Sequence, residues 1–252
     1  MDRRRRKIGR LAIALTVLSA SFSALQAGAG EMSNAEILRN FDVIAFQNEV
    51  RHIPNPRVTK WVRPIRAYKQ FDVTVAPEIE DFLDKHMDRL AEVTGLDIEY
   101  VDDVSSANFL IIFTRRADYL PTALKHVKPG VRGVPRGIAR RLRRTNCLGV
   151  FSVRPSNAEL ERAVVVIPVD HAQARGLLTR CIVEETTQSL GLPNDSDDVK
   201  PSVFNDRSRL KDLSVHDLLL LRLLYHPELE VGTPRRAALL TAARLLPQLR
   251  NE

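Results

Sequence analysis

The stretch Cys181-Ile182-Val183-Glu184-Glu185-Thr186-Thr187-Gln188-Ser189-Leu190-Gly191-Leu192-Pro193-Asn194-Asp195 decides how the rest of the chain is read. Glu184, Glu185 and Gln188 fall within about one helical turn, so their polar ends converge. Gly191 then permits a sharp exit that carries Asn194 and Asp195 back toward them. On the same helix Leu178, Ile182, Glu185 and Ser189 follow one another at spacings of four, three and four, which puts Glu185 on a stripe that otherwise faces the core. A carboxylate there is costly unless it is paired, hydrogen-bonded or open to a cleft. Two adjacent acids, an amide and an Asn-Asp pair after a turn are more oxygen ligands than a plain surface helix requires. The layout is that of a site.

Outward from this helix, strand and helix signals alternate. Ser33-x-x-Glu36 is a capping box, followed by Ile37, Phe41, Ile44 and Ala45 at helical spacing to about residue 48. Pro54 and Pro56 break that pattern, and residues 61–68 alternate well enough for a strand despite Pro64, which suggests an edge or a bulge. Pro77 suits a first helical position, with Glu78, Glu80 and Asp81 in the first turn and an apolar face ending at Gly95. His86 lies on that face and is expected to be a hydrogen-bonded core histidine, since no second His sits at i+4 to share a metal. Residues 97–101 and 108–114 read as strands, the second apolar enough to be buried on both faces at the centre of a sheet. Two more strands, at 147–153 and 163–169, are separated by a Pro155-Ser156-Asn157 turn and should pair antiparallel. Asp170 with Gln173 is expected to cap the central helix, running to Leu190. Residues 194–205 are polar and irregular, Ser214 with Asp217 caps a helix through Leu224, and a C-terminal helix spans residues 233–250. Residues 124–145, rich in Arg and broken by Pro and Gly, read as a basic surface excursion in a stretch from 115 to 144 without periodicity.

Of the 252 residues, 1–29 read as a secretory signal peptide: a basic run at 3–7, an apolar run at 11–25 and Ala27-Gly28-Ala29 as the cleavage site. The remainder, 30–252, is expected to form a single domain of the exported, periplasmic or secreted protein, with no stable membrane span once the signal is removed. The formal charge of +7 invites a nucleic-acid partner, but six basic residues against Asp2 put +5 in the signal and leave about +2 for the rest. The basicity is mostly an address, and export argues against DNA or RNA. The two cysteines, Cys147 and Cys181, are favoured to pair in an oxidising compartment, tying the front of the central helix to a neighbouring strand. The alternative is two buried free thiols.

The spacing of the central stretch resembles the metzincin signature H-E-x-x-H-x-x-G-x-x-H, in which three His bind zinc and Glu activates water. Glu184 stands for the first His, Glu185 for the catalytic Glu, Gln188 for the second His, Gly191 for the Gly and Asn194 for the third His. Ser202-Val203-Phe204-Asn205 lies where metzincins carry their Met-containing turn, and Leu213-Ser214-x-x-Asp217 with Leu224-Tyr225 resembles the closing helix of the matrixin branch. More closely, residues 181–232 resemble a family of exported bacterial proteins of uncharacterised function in which Glu-Glu-x-x-Gln-x-Leu-Gly-Leu-Pro-Asn-Asp is the characteristic motif. The resemblance implies an α+β, zincin-like fold, a mixed twisted sheet with packed helices, whose zinc ligands have been replaced.

Function follows as expectation. Zinc prefers His nitrogen and Cys sulfur, so no cofactor and no zinc are expected; a hard cation would accept oxygens from Glu184, Asn194 and Asp195. The first expectation is a binding domain that has lost peptidase chemistry, with Gln188, Asn194 and Asp195 in the cleft and Gly191 at its turn. Its partner would be a peptide or an anionic envelope component, attracted by the basic excursion. The alternatives are a hydrolase using Glu185 as general base with Glu184 as acid or metal ligand, and a purely structural network of the same groups.

Overall fold

The computed structural model describes residues 32–47, 55–126 and 142–251. The expected signal peptide and residues 127–141 of the basic excursion lie outside the described residues. The elements run α1 (Asn34–Phe46), β1 (Ile65–Phe71), α2 (Pro77–Thr94), β2 (Ile98–Tyr100), β3 (Phe109–Thr114), α3 (Arg116–His126), β4 (Leu148–Val153), β5 (Leu160–Pro168), α4 (Val169–Ala174), α5 (Leu178–Gln188), α6 (Val215–Tyr225) and α7 (Arg235–Leu249).

β3 organises the sheet. All six of its residues are buried, as a continuous apolar run demands, and it takes the middle place in the order β2-β1-β3-β5-β4. The β1–β2, β1–β3 and β3–β5 junctions are parallel, while β4 runs antiparallel to β5 and forms one edge. The sheet is therefore mixed. Its two faces follow the period of two along β3: Phe109, Ile111 and Phe113 enter the main core with residues of α1, α2, α5, α6 and α7, and Leu110 and Ile112 pack with Tyr119 and Ala123 of α3 on the other side.

The helix termini form where the caps direct them. Ser33 and Glu36 make the reciprocal capping box of α1, Ser214 and Asp217 do the same for α6, and α2 starts on Pro77 and ends at Gly95 in the left-handed region, φ 69°. His86 is a core residue: its Nε2 lies 3.0 Å from Thr186 Oγ1. That hydroxyl donates to the Ile182 carbonyl at 2.6 Å, so it is left to accept from the ring. Burial lowers the His86 pKa to about 4.

Three expectations need correction. The strand expected over 61–68 begins only at Ile65; Pro64 and the buried Trp61 belong to the approach, where the backbone is spent on contacts with later elements. The stretch after residue 115 is not aperiodic throughout, because α3 forms with Pro121 inside it and covers the sheet with buried Tyr119 and Ala123 and half-buried Leu120. The central helix is two helices. Gly176 at φ 68° breaks it, and the Asp170 carboxylate accepts from Arg116 N and His171 N instead of capping α5. No helix among the described residues is long and apolar enough to cross a membrane.

Candidate functional site

α5 brings Glu184, Glu185 and Gln188 to one side of a cleft of about 380 Å³, whose opposite wall is the start of the edge strand β4. The approach of helix to strand is close. A Cβ on Gly149 would stand 2.8 Å from both the Glu185 carbonyl oxygen and Glu185 Oε2, so a residue without a side chain is required where β4 passes α5. The Cys147–Cys181 disulfide joins α5 to the residue immediately before β4, with Cα atoms 5.9 Å apart, and both cysteines border the cleft. The expected bridge is present and the free-thiol alternative is not.

The chain after α5 turns at Gly191, φ 111°. Two donors from elsewhere hold the carbonyls at the exit of the helix, at its C-cap and the residue after: Trp61 Nε1 donates to Ser189 O at 2.9 Å and Tyr225 Oη to Leu190 O at 2.7 Å. These satisfy helix-end carbonyls that would otherwise lack partners. The turn returns Asp195 to the cleft, where its Oδ1 accepts from Gln188 Nε2 at 2.5 Å. Asn194 does not arrive with it: its side chain is buried and donates to the Asp195 carbonyl at 3.0 Å. The amide nitrogens of Gln188 and Asn194 are thus spent on Asp195, and neither position supplies the imidazole that zinc prefers.

Two residues that sequence reasoning missed complete the site. Arg180, one turn ahead of Glu184, places Nε 3.1 Å from Glu184 Oε2. Its other nitrogens donate to the carbonyls of Asn205 (3.1 Å), Asp206 (2.7 Å) and Ser208 (3.3 Å) and to Asp206 Oδ1 at 3.4 Å. The signal available was the Arg180-x-x-x-Glu184 spacing, an i,i+4 pair. Asp206 had no local signal, because its place depends on a loop folded around Asp217. That buried carboxylate accepts from Ser202 Oγ, Val203 N, Ser214 N and Ser214 Oγ. Carboxylate oxygens of Glu184, Asp195 and Asp206 consequently lie within 4.8 Å of one another. The hard-cation set expected from sequence was Glu184, Asn194 and Asp195; the structure gathers Asp206 in place of Asn194.

Burial and the neighbouring charge of Glu185 push the Glu184 carboxyl up to about 8, against the opposing pull of Arg180. The folded state therefore keeps a proton on Glu184 through a range in which an unfolded chain, titrating near 4.5, has released it. More protons on the folded state mean that stability from this group is complete below pH 4.5 and is lost as pH rises toward 8. Glu184→Gln, which is neutral throughout, should raise unfolding free energy by about 1 kcal/mol or more at neutral pH. Urea melts of both proteins should converge as pH falls below 5 or so. The comparison must be a difference, since buried His86 tilts stability the other way in acid. Equal stability at pH 8 would show that Glu184 is ionised without cost.

A family model described as a protein of unknown function, DUF2927, matches residues 34–241. The chain belongs to the DUF2927 family. The match opens with α1 and closes within α7, so it takes in the whole sheet, both cysteines and the cleft. This agrees with the expectation of an uncharacterised family drawn from the motif at 184–195. None of the curated proteins compared with the chain matches it.

Proposed function

We propose that this DUF2927 member is an exported zincin-like domain without zinc-peptidase chemistry, which uses the cleft between α5 and β4 to bind an extended peptide or another component of the cell envelope. The observation that carries this is the meeting of a site helix, a glycine turn and an edge strand on one cleft, with one carboxylate (Glu184) and two amides (Gln188 and Asn194) at the positions where zinc would need imidazoles. An edge strand offers backbone donors and acceptors to an added strand, and side chains beyond it supply selectivity. Here those side chains are Glu185, Gln188 and Asp195, with Arg144 from the end of the basic excursion on the rim. The disulfide and the lack of a spanning helix among the described residues are compatible with an exported protein.

The test is binding of labelled envelope-derived peptides and of soluble cell-wall glycan fragments, followed by anisotropy. Saturable binding that weakens at least fivefold or so in Glu185→Gln and in Arg144→Ala is the expected result. Stoichiometric zinc in native protein, with proteolysis abolished by Glu185→Gln, overturns the proposal.

A second possibility is a hydrolase, and the proton held on Glu184 beside Glu185 favours it, because unequal carboxylates can divide acid and base roles. Turnover of the same peptides or glycans that is lost in both Glu184→Gln and Glu185→Gln would establish it in place of simple binding.

A further inference from the structure

The three carboxylates that converge in the cleft are each already met from within the chain. Glu184 and Asp206 face the Arg180 guanidinium, at 3.1 and 3.4 Å, and Asp195 accepts from Gln188 Nε2. Arg180 is only 12% exposed at its side chain. Its remaining donors are saturated by three backbone carbonyls of the 205–208 segment, hard oxygens of the kind that coordinate a calcium ion or accept hydrogen bonds from a guanidinium. A planar fork of donors is suited to bridging carboxylates and carbonyls fixed in this way; an ammonium on a flexible stem is less so.

We propose that Arg180 is the cleft's resident cation, holding the 205–208 segment and Asp206 against α5 in the place that a divalent ion would otherwise take. The positive charge that the gathered oxygens demand is supplied covalently, and the oxygen-rich site has no need of an ion from solution. Arg180 is a positioning residue: it acts on a ligand through the placement of Glu184 and Asp206. This goes beyond the binding function proposed above and holds whether or not a peptide enters the cleft, so each can fail alone.

The experiment is calorimetric titration of the full-length chain with CaCl2 and, separately, MnCl2. Wild type and Arg180→Lys should show no one-site binding, whereas Arg180→Gln should gain one ion per chain with a Kd of about 1 mM or tighter. That gain should vanish when Glu184→Gln is added, a dependence that a merely destabilised variant would not show. If Arg180→Gln is unfolded alone, folding restored by about 10 mM CaCl2 is the same result read through linkage. One-site binding by wild type that depends on Glu184 overturns the proposal, as does an Arg180→Gln protein that neither binds nor is rescued by the ion.

Discussion

Gly191→Ala is expected to lower unfolding free energy by about 3 kcal/mol or more and to part Asp195 from Gln188. Two costs combine at this position. The φ of 111° is one that an L side chain rarely adopts, and an added Cβ would stand 2.1 Å from the Thr59 carbonyl oxygen. That oxygen is backbone, so no side-chain rotation relieves the clash. Thr59 is itself buried and its hydroxyl accepts from Asn55 Nδ2 at 3.1 Å, while Trp61 two residues on is bonded to the end of α5. The turn and the approach to β1 therefore have to move together. Urea unfolding measures the first consequence, and weakened binding by the cleft the second. A Gly191→Ala protein of wild-type stability would mean that the turn relaxes freely and does not fix the site.

Removal of the disulfide is the other large effect. The bridge spans 34 residues in sequence, and closing a loop of that size restricts the unfolded chain by about 3 to 4 kcal/mol in the chain-entropy account. Cys147→Ala with Cys181→Ala should lose about 3 kcal/mol in urea, with a larger m-value because the unfolded chain expands. Both cysteines are buried, Cys181 at 1% exposure, so Ala removes the two sulfurs and places no polar group in the core. The loop between them contains β4, β5 and α4, the whole connection from the wall of the cleft to its helix. An unchanged m-value with the same loss of stability would locate the effect in the folded state instead.

Much of the framework was legible because its signals are local. Ser33 with Glu36, Pro77 with Gly95, and Ser214 with Asp217 mark helix ends through groups a few residues apart, and the apolar run of β3 declares itself central. The parts that escaped depend on distant partners. α3 buries Tyr119 and Ala123 fully, with Leu120 half-buried beside them, too narrow a face to stand out against Pro121 and the basic residues that follow. Gly176 breaks the central helix in a stretch whose polar pattern runs on across it. Asn194 was placed in the cleft by motif spacing, yet the direction taken after Gly191 is set by Thr59, Trp61 and Tyr225, far away in sequence. For the same reason Asp206 was invisible: nothing adjacent to it states that Arg180 will bind its carbonyl.

Trp61 is the chain's one tryptophan. Its indole N–H is bonded to the carbonyl of Ser189, directly after Gln188, and its ring is 2% exposed and lies 6.2 Å from that of Phe109. Emission excited through indole absorption therefore arises from a single fluorophore attached to the end of the site helix. Any event that shifts this end, from ligand entry to loss of the Gly191 turn, is coupled to an optical signal that needs no label.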